Sequence, residues 1–308
     1  MRGSTMTILL HVTGMDRAAW LAAIKAQAPR LEVISAADTD RFAEIRHAWV
    51  WKPPAGLLGQ LPNLELIINL AAGVDAILAD ATVPKHLPIL RAVDPNITMR
   101  MTEWVVLQVL FHHRQMPAFM DQQKQRVWRE LPQKAASALT VGILGMGVLG
   151  QSAARALAGL GFKVIGWSRT GAQPLGAFLS QTDILVCLLP FTPETKGLIS
   201  YELLRQLNRG GPLGAPVLIN GGRGGSQIGA DVLRALNDGT LGGASLDVFE
   251  TEPLPEGSPF WSHPKVIVTP HVAAYSDPEA MTAHVLEQLA RHEAGGAMAP
   301  LVDRARGY

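Results

Sequence analysis

TVGILGMGVLG, residues 140–150, is the stretch from which the rest of the chain can be read. Val141 to Leu144 form a short apolar run that suits a buried strand, and the run passes directly into Gly145-x-Gly147-x-x-Gly150. Residues 151–160 follow with apolar positions at Ala153, Ala154, Leu157, Ala158 and Leu160, a helical spacing. A strand, a glycine-rich turn and a helix in that order suit a pyrophosphate. Gly145 permits the tight turn, Gly147 lets the backbone approach the phosphates, and Gly150 lets the helix lie close to the strand. The helix start adds N–H groups and a partial positive charge for the anion. Glycines in this spacing also mark purely structural turns. The flanking strand and helix are what point to a dinucleotide, held along Gly145, Met146, Gly147, Val148, Leu149 and Gly150.

Downstream, strands are predicted at 141–144, 163–167, 183–188, 217–220, 244–247 and 266–269, with helices at 151–160, 201–207 and 229–236. This alternation fits a doubly wound dinucleotide domain. Upstream, strands at 7–12, 31–34, 47–51 and 64–69 and a helix at 16–27 indicate another α/β domain. An apolar helix at 102–119, interrupted near Pro117, and a polar connector at 121–137 lie between the two sets of strands. A last helix at 278–293 is long enough to return to the first domain. The expected fold is therefore α/β, with two Rossmann-like domains built on doubly wound parallel sheets. The substrate domain is discontinuous, 6–98 and 276–308, and the dinucleotide-binding domain is 99–275. The apolar 102–119 helix is also a candidate subunit interface, so a homodimer is expected.

Composition narrows the function classes. Apolar residues make up 48% of the chain, enough for globular cores, and a net charge of +1 offers no basic surface for nucleic acid or an anionic membrane. No apolar run approaches the roughly 18 residues that a membrane span requires. The opening MRGST reads as an added leader before a start at Met6. Cys187 is the sole cysteine, which excludes an intrachain disulfide and favours the cytoplasm. It sits in the apolar run 183–189, so a core thiol is expected rather than a nucleophile. No metal site is expected.

In doubly wound domains that bind NAD, an acidic residue roughly 20 positions after the glycines accepts hydrogen bonds from the ribose. Here the second strand ends at Trp167 and is followed by Ser168-Arg169-Thr170, with no carboxylate. A carboxylate would repel a 2′-phosphate, whereas a guanidinium with two hydroxyls would bind it. The pattern favours NADP, although an arginine after a strand can also be a solvated surface charge.

Five motifs occur in order: the glycine turn; Leu188-Leu189-Pro190 with Thr192-Pro193-Glu194-Thr195; Asn220-Gly221-Gly222-Arg223-Gly224; Leu246-Asp247-Val248-Phe249-Glu250-Thr251-Glu252-Pro253-Leu254-Pro255; and Thr269-Pro270-His271-Val272-Ala273-Ala274. Together they resemble the D-isomer-specific 2-hydroxyacid dehydrogenases. Ala48-Trp49-Val50-Trp51-Lys52-Pro53-Pro54, Trp167-Ser168-Arg169-Thr170 and the end of the chain, 302–308, are similar to the bacterial glyoxylate/hydroxypyruvate reductase A group within that family. The resemblance implies reduction of a small 2-oxo acid by NADPH. It further implies cofactor contacts from Leu189, Pro190, Thr195, Gly221, Gly222, Asp247 and Ala273.

The chemistry of the residues agrees. Reducing a 2-oxo acid requires a cation for the carboxylate and carbonyl, a proton donor at the carbonyl oxygen and a hydride on the opposite face. Arg223, Glu252 and His271 fall at or just after predicted strand ends, where doubly wound sheets place their sites. By resemblance, Arg223 binds and polarises the oxo acid, His271 is the general acid and Glu252 pairs with it. A carboxylate beside an imidazole favours its protonated form. Each of the three, taken singly, could equally be an ordinary surface or loop residue. Ala72, Gly73 and Val74 follow a first-domain strand and can point N–H groups at the substrate carboxylate. Trp51 resembles a pocket aromatic, with a core tryptophan as its other reading. The family's Asn-x-Ala-Arg-Gly is here Asn220-Gly-Gly222-Arg223-Gly, which gives the arginine loop more backbone freedom. The alternatives are an NAD-linked dehydrogenase of bulkier D-2-hydroxy acids and a non-catalytic nucleotide sensor of the same fold.

Overall fold

A computed structural model describes residues 6–92, 95–169, 171 and 173–307. The expected leader at 1–5 and Thr170 lie outside the described residues. The chain divides into two compact units, residues 1–97 with 276–308, and residues 98–275.

The first unit carries a parallel five-stranded sheet. Strands β1 (Thr7–Val12), β2 (Glu32–Ile34), β3 (Ile45–Trp51), β4 (Leu66–Asn69) and β5 (Ile89–Arg91) stand in the order β2-β1-β3-β4-β5. The order reverses between β1 and β3, the position at which such sheets open a crevice at their C-terminal edge. Strand β5 was not anticipated. It is three residues long and follows Pro88, so it carries too little periodicity to be read, and it exists because β4 offers it a hydrogen-bonding edge. Helix α1 (Arg17–Gln27) starts at Asp16, whose carboxylate accepts from the amides of Ala18 and Ala19. The last helix packs on α1, and Gln27 Nε2 donates to Glu279 O at 2.9 Å.

The second unit holds a parallel six-stranded sheet. Its strands are β6 (Thr140–Leu144), β7 (Lys163–Trp167), β8 (Ile184–Cys187), β9 (Val217–Asn220), β10 (Gly243–Leu246) and β11 (Val266–Val268), in the order β11-β10-β9-β8-β6-β7. The strands read as continuous apolar runs because both faces are covered. Ile184 and Val186 enter the core on one face, and Leu185 and Cys187 the core on the other. Burial pushes the Cys187 thiol up to about 11, so it behaves as a small core hydrophobe.

The helix expected at 102–119 is two helices, α3 (Pro95–His113) and α4 (Met116–Gln125), after a short α2 (Asp75–Leu78) in the first unit. The break falls at Gln115, which adopts a left-handed conformation, and not at Pro117. Pro117 occupies the first turn of α4, where its missing N–H is not needed. Helices α5 (Val148–Gly159), α6 (Leu175–Leu179), α7 (Tyr201–Leu204), α8 (Gly229–Asn237) and α9 (Pro278–Glu293) complete the chain.

His112 on α3 is buried against β10. Its Nε2–H donates to Ser245 Oγ at 2.9 Å, and that hydroxyl donates to Gln108 Oε1 at 2.8 Å. Burial pushes the His112 pKa down to about 4. The folded value lies below the unfolded 6.5, so the unfolded chain binds the extra proton and stability is lost as pH falls through this window. The loss attributable to His112 amounts to about 2 kcal/mol by pH 5. Denaturant midpoints at pH 7.5 and pH 5 check it. The difference shrinks in His112→Gln, and an equal difference in both proteins rules His112 out as its source.

Candidate active site

The glycine turn links β6 to α5. Gly145 sits at φ +103°, and a Cβ there would lie 2.8 Å from the carbonyl oxygen of Leu188. Only glycine meets both conditions. Gly147 precedes the helix, and no side chain caps the amides at the start of α5. A Cβ on Gly147 would meet nothing within 4 Å, whereas one on Gly150 would fall 2.0 Å from Gly145 O. The turn is thus close-packed behind the helix and open ahead of it. This arrangement fits a pyrophosphate seated on helix amides.

At the end of β7, Arg169 Nη1 lies 3.7 Å from Glu194 Oε2, with both side chains largely exposed. Ser168 O accepts from Gly171 N at 2.9 Å. Glu194 lies in one of the motifs, but its approach to Arg169 is not legible in the sequence, because the two are distant in the chain and only the fold brings them together. Hydrogen bonding to Thr192, chiefly, holds the Glu194 carboxyl below its usual range. Thr195 Oγ1 donates to Pro190 O and accepts from Thr192 N, both at 2.8 Å, which fixes the turn after the partly exposed Leu188 and the buried Leu189.

Arg223, Glu252 and His271 follow the C-terminal ends of the neighbouring strands β9, β10 and β11. Glu252 Oε2 accepts from His271 Nδ1–H at 2.8 Å, and Glu252 Oε1 accepts from Phe249 N at 3.1 Å. A carboxylate fixed at both oxygens orients the imidazole through Nδ1. About a quarter of each side chain remains accessible. Arg223 Nη1 donates to Gly222 O at 2.9 Å, and Asn220 Nδ2 donates to Arg223 O at 3.2 Å.

His271 has φ +56°, a left-handed conformation unusual outside glycine. Asp247, buried at the end of β10, supports it. Its carboxylate accepts from Thr269 Oγ1 at 2.6 Å, Val272 N at 2.9 Å and Ala273 N at 3.0 Å, and its carbonyl accepts from His271 N at 2.8 Å. The turn that presents His271 is therefore built on Asp247.

The remaining candidates belong to the first unit. Trp51 is buried at the end of β3, with Lys52 Nζ 5.5 Å from its ring centroid. Ala72, Gly73 and Val74 form a turn after β4. Buried Asn69 secures this turn by donating to the carbonyls of Ala71 and Gly73. Asn69 has no motif around it, so only the fold reveals it.

The family model for the NAD-binding domain of D-isomer-specific 2-hydroxyacid dehydrogenases matches residues 106–273. Glyoxylate/hydroxypyruvate reductase A of Yersinia enterocolitica is 37% identical over 319 residues, covering 98% of this chain and all of that protein. The chain belongs to the D-isomer-specific 2-hydroxyacid dehydrogenase family. Solved members of that family have the same architecture. The NADPH-dependent glyoxylate/hydroxypyruvate reductase of Sinorhizobium meliloti, in complex with NADP and sulfate, superposes with a TM-score of 0.92 at 46% identity, over 98% of this chain and 99% of that one. A probable 2-hydroxyacid dehydrogenase of Rhizobium etli, in complex with NADP, HEPES and L(+)-tartaric acid, gives 0.90 at 43% identity, over 98% and 99%. Among the described residues of this 2-hydroxyacid dehydrogenase, no group of His, Cys, Asp and Glu could hold a metal ion. No described helix is long and apolar enough to cross a membrane.

Proposed function

We propose that this chain reduces small 2-oxo acids with NADPH, converting glyoxylate to glycolate and hydroxypyruvate to D-glycerate. The observation that carries the proposal is the 2.8 Å Glu252–His271 pair at the end of the sheet, Glu252 following β10, which neighbours the β9 strand that leads to Arg223, and His271 following β11 on the far side of β10. Arg223 binds the substrate carboxylate and polarises its carbonyl. His271 delivers a proton from Nε2 to the carbonyl oxygen, and Glu252 holds the ring in place through Nδ1. Bound NADPH supplies the hydride. Trp51, Ala72, Gly73 and Val74 contribute substrate contacts from the unit of residues 1–97 and 276–308, which serves as the substrate domain.

The unit of residues 98–275 serves as the dinucleotide domain. Its glycine turn takes the pyrophosphate. Leu189, Pro190, Thr195, Gly221, Gly222, Asp247 and Ala273 line the remainder of the cofactor, and Ser168, Arg169 and Thr170 take the 2′-phosphate. NADP in the Sinorhizobium and Rhizobium relatives supports this choice, as does the lack of an acid directly after β7. Glu194 competes with the phosphate for Arg169 and tempers the preference. Steady-state rates with glyoxylate and hydroxypyruvate, each with NADPH and NADH, test both parts. Equal or better kcat/KM with NADH overturns the cofactor assignment, and no turnover of any 2-oxo acid overturns the enzyme assignment.

The protein works in the cytoplasm as a homodimer in this reading. Support for the dimer comes from an apolar groove of about 530 Å³ along α3 and α4, lined by Leu107, Leu110, Phe111, Arg114, Met116 and Phe119. Met120 and the fully exposed Trp128 lie nearby in the sequence. Sedimentation as a 33 kDa species would contradict it.

A further inference from the structure

We infer that Gln227 is a positioning residue that holds the Arg223 loop and the Glu252–His271 pair in fixed relation. The inference rests on the reductase reading above. Gln227 lies four residues beyond Arg223 and belongs to none of the motifs that carry the family resemblance. It is a buried amide, 2% exposed, in a loop whose other residues, Arg223 apart, are glycines and a serine. A side chain of this kind costs stability unless both its donor and its acceptor are satisfied.

Both are satisfied, on different loops. Gln227 Oε1 accepts from Asn220 Nδ2 at 2.9 Å. That same amide group of Asn220 donates to the carbonyl of Arg223, and Asn220 Oδ1 accepts from Gly222 N at 3.0 Å. Gln227 Nε2 donates to Val248 O at 3.1 Å. Val248 immediately precedes Phe249, whose N–H binds Glu252 Oε1. One side chain therefore joins the loop after β9 to the loop after β10. The backbone of Gln227 is itself fixed, in a parallel bridge with Ile199.

The need for such a tie follows from the loop's composition. Gly221 and Gly222 precede Arg223 and Gly224 and Gly225 follow it, so the backbone around the arginine has few intrinsic restraints. Gly224 is also pressed against the neighbouring loop, since a Cβ there would fall 2.0 Å from the Phe249 carbonyl. Packing brings the two loops together, and the Gln227 amide sets their register. Substrate geometry depends on that register, because the arginine holds the oxo acid while the histidine protonates it.

The test compares wild type with Gln227→Met, which keeps the shape and removes both hydrogen bonds, and Gln227→Glu, which keeps the acceptor and, when ionised, loses the donor. NADPH binding is titrated by fluorescence, and turnover of glyoxylate is expressed per NADPH-binding site, so that a less stable variant is still scored on its folded fraction. Gln227→Met is expected to lose roughly 10- to 100-fold in kcat/KM for glyoxylate per site with an unchanged Kd for NADPH. Gln227→Glu is expected to fall between it and wild type. Unchanged kcat/KM per site in Gln227→Met, or a loss matched by an equal weakening of NADPH binding, overturns the inference and leaves the reductase reading standing. A wild type that binds NADPH but reduces no 2-oxo acid overturns both.

Discussion

Replacing His271 by glutamine lowers kcat for glyoxylate by roughly 10²- to 10⁴-fold, the range in which a positioned general acid contributes, while NADPH still binds. Glutamine retains a polar group of similar reach, so the loss isolates proton delivery from packing. The geometry makes the expectation sharp. Glu252 accepts from Nδ1 at 2.8 Å, and Asp247 braces the turn on either side of the ring through Thr269, Val272 and Ala273. The left-handed backbone at His271 is a conformation that the surroundings must over-determine, a feature common at active sites. Glyoxylate turnover and NADPH fluorescence titration on one preparation read the two properties. Full activity in the variant would remove His271 as the proton donor.

Gly150→Ala is the substitution with the largest structural effect. Its Cβ would stand 2.0 Å from the carbonyl oxygen of Gly145, a backbone atom that no rotamer change can move aside. The start of α5 must shift away from β6, at a cost of roughly 1–3 kcal/mol in stability. A comparable loss at the displaced amides weakens NADPH binding by about 10- to 100-fold. Gly147→Ala is its control. A Cβ there meets nothing within 4 Å, so its melting temperature should match wild type while cofactor binding weakens, because the added methyl points into the space assigned to phosphate. Thermal melting and titration of both variants check the pair. Equal melting temperatures for Gly150→Ala and wild type would contradict the packing argument.

The three glycines show how much could be read in advance. Their separate duties follow from the spacing together with the flanking strand and helix, because a strand that turns sharply into a helix around a phosphate leaves few positions for a Cβ. The strands of the second sheet were equally legible, since both of its faces are buried and its strands stand out as apolar runs, whereas β5, α2 and α6 are too short to show a period. Arg223, Glu252 and His271 could be named because each lies in a motif at or just after a predicted strand end.

Other features are decided by hydrogen bonds between residues that are distant in the chain. Asp247 sits in a motif, but the sequence does not reveal that its carboxylate organises the turn around His271, because those partners lie in the turn after the next strand. Asn69 and Gln227 are single buried amides with no pattern around them. Glu194 approaches Arg169 only when β7 and the turn after β8 are folded. Local sequence determined where the chain forms strands, helices and tight turns, since steric limits and hydrophobic periodicity act over a few residues. Tertiary structure alone decided which polar groups meet at the ends of those strands, since a buried donor must find its acceptor wherever the fold provides one.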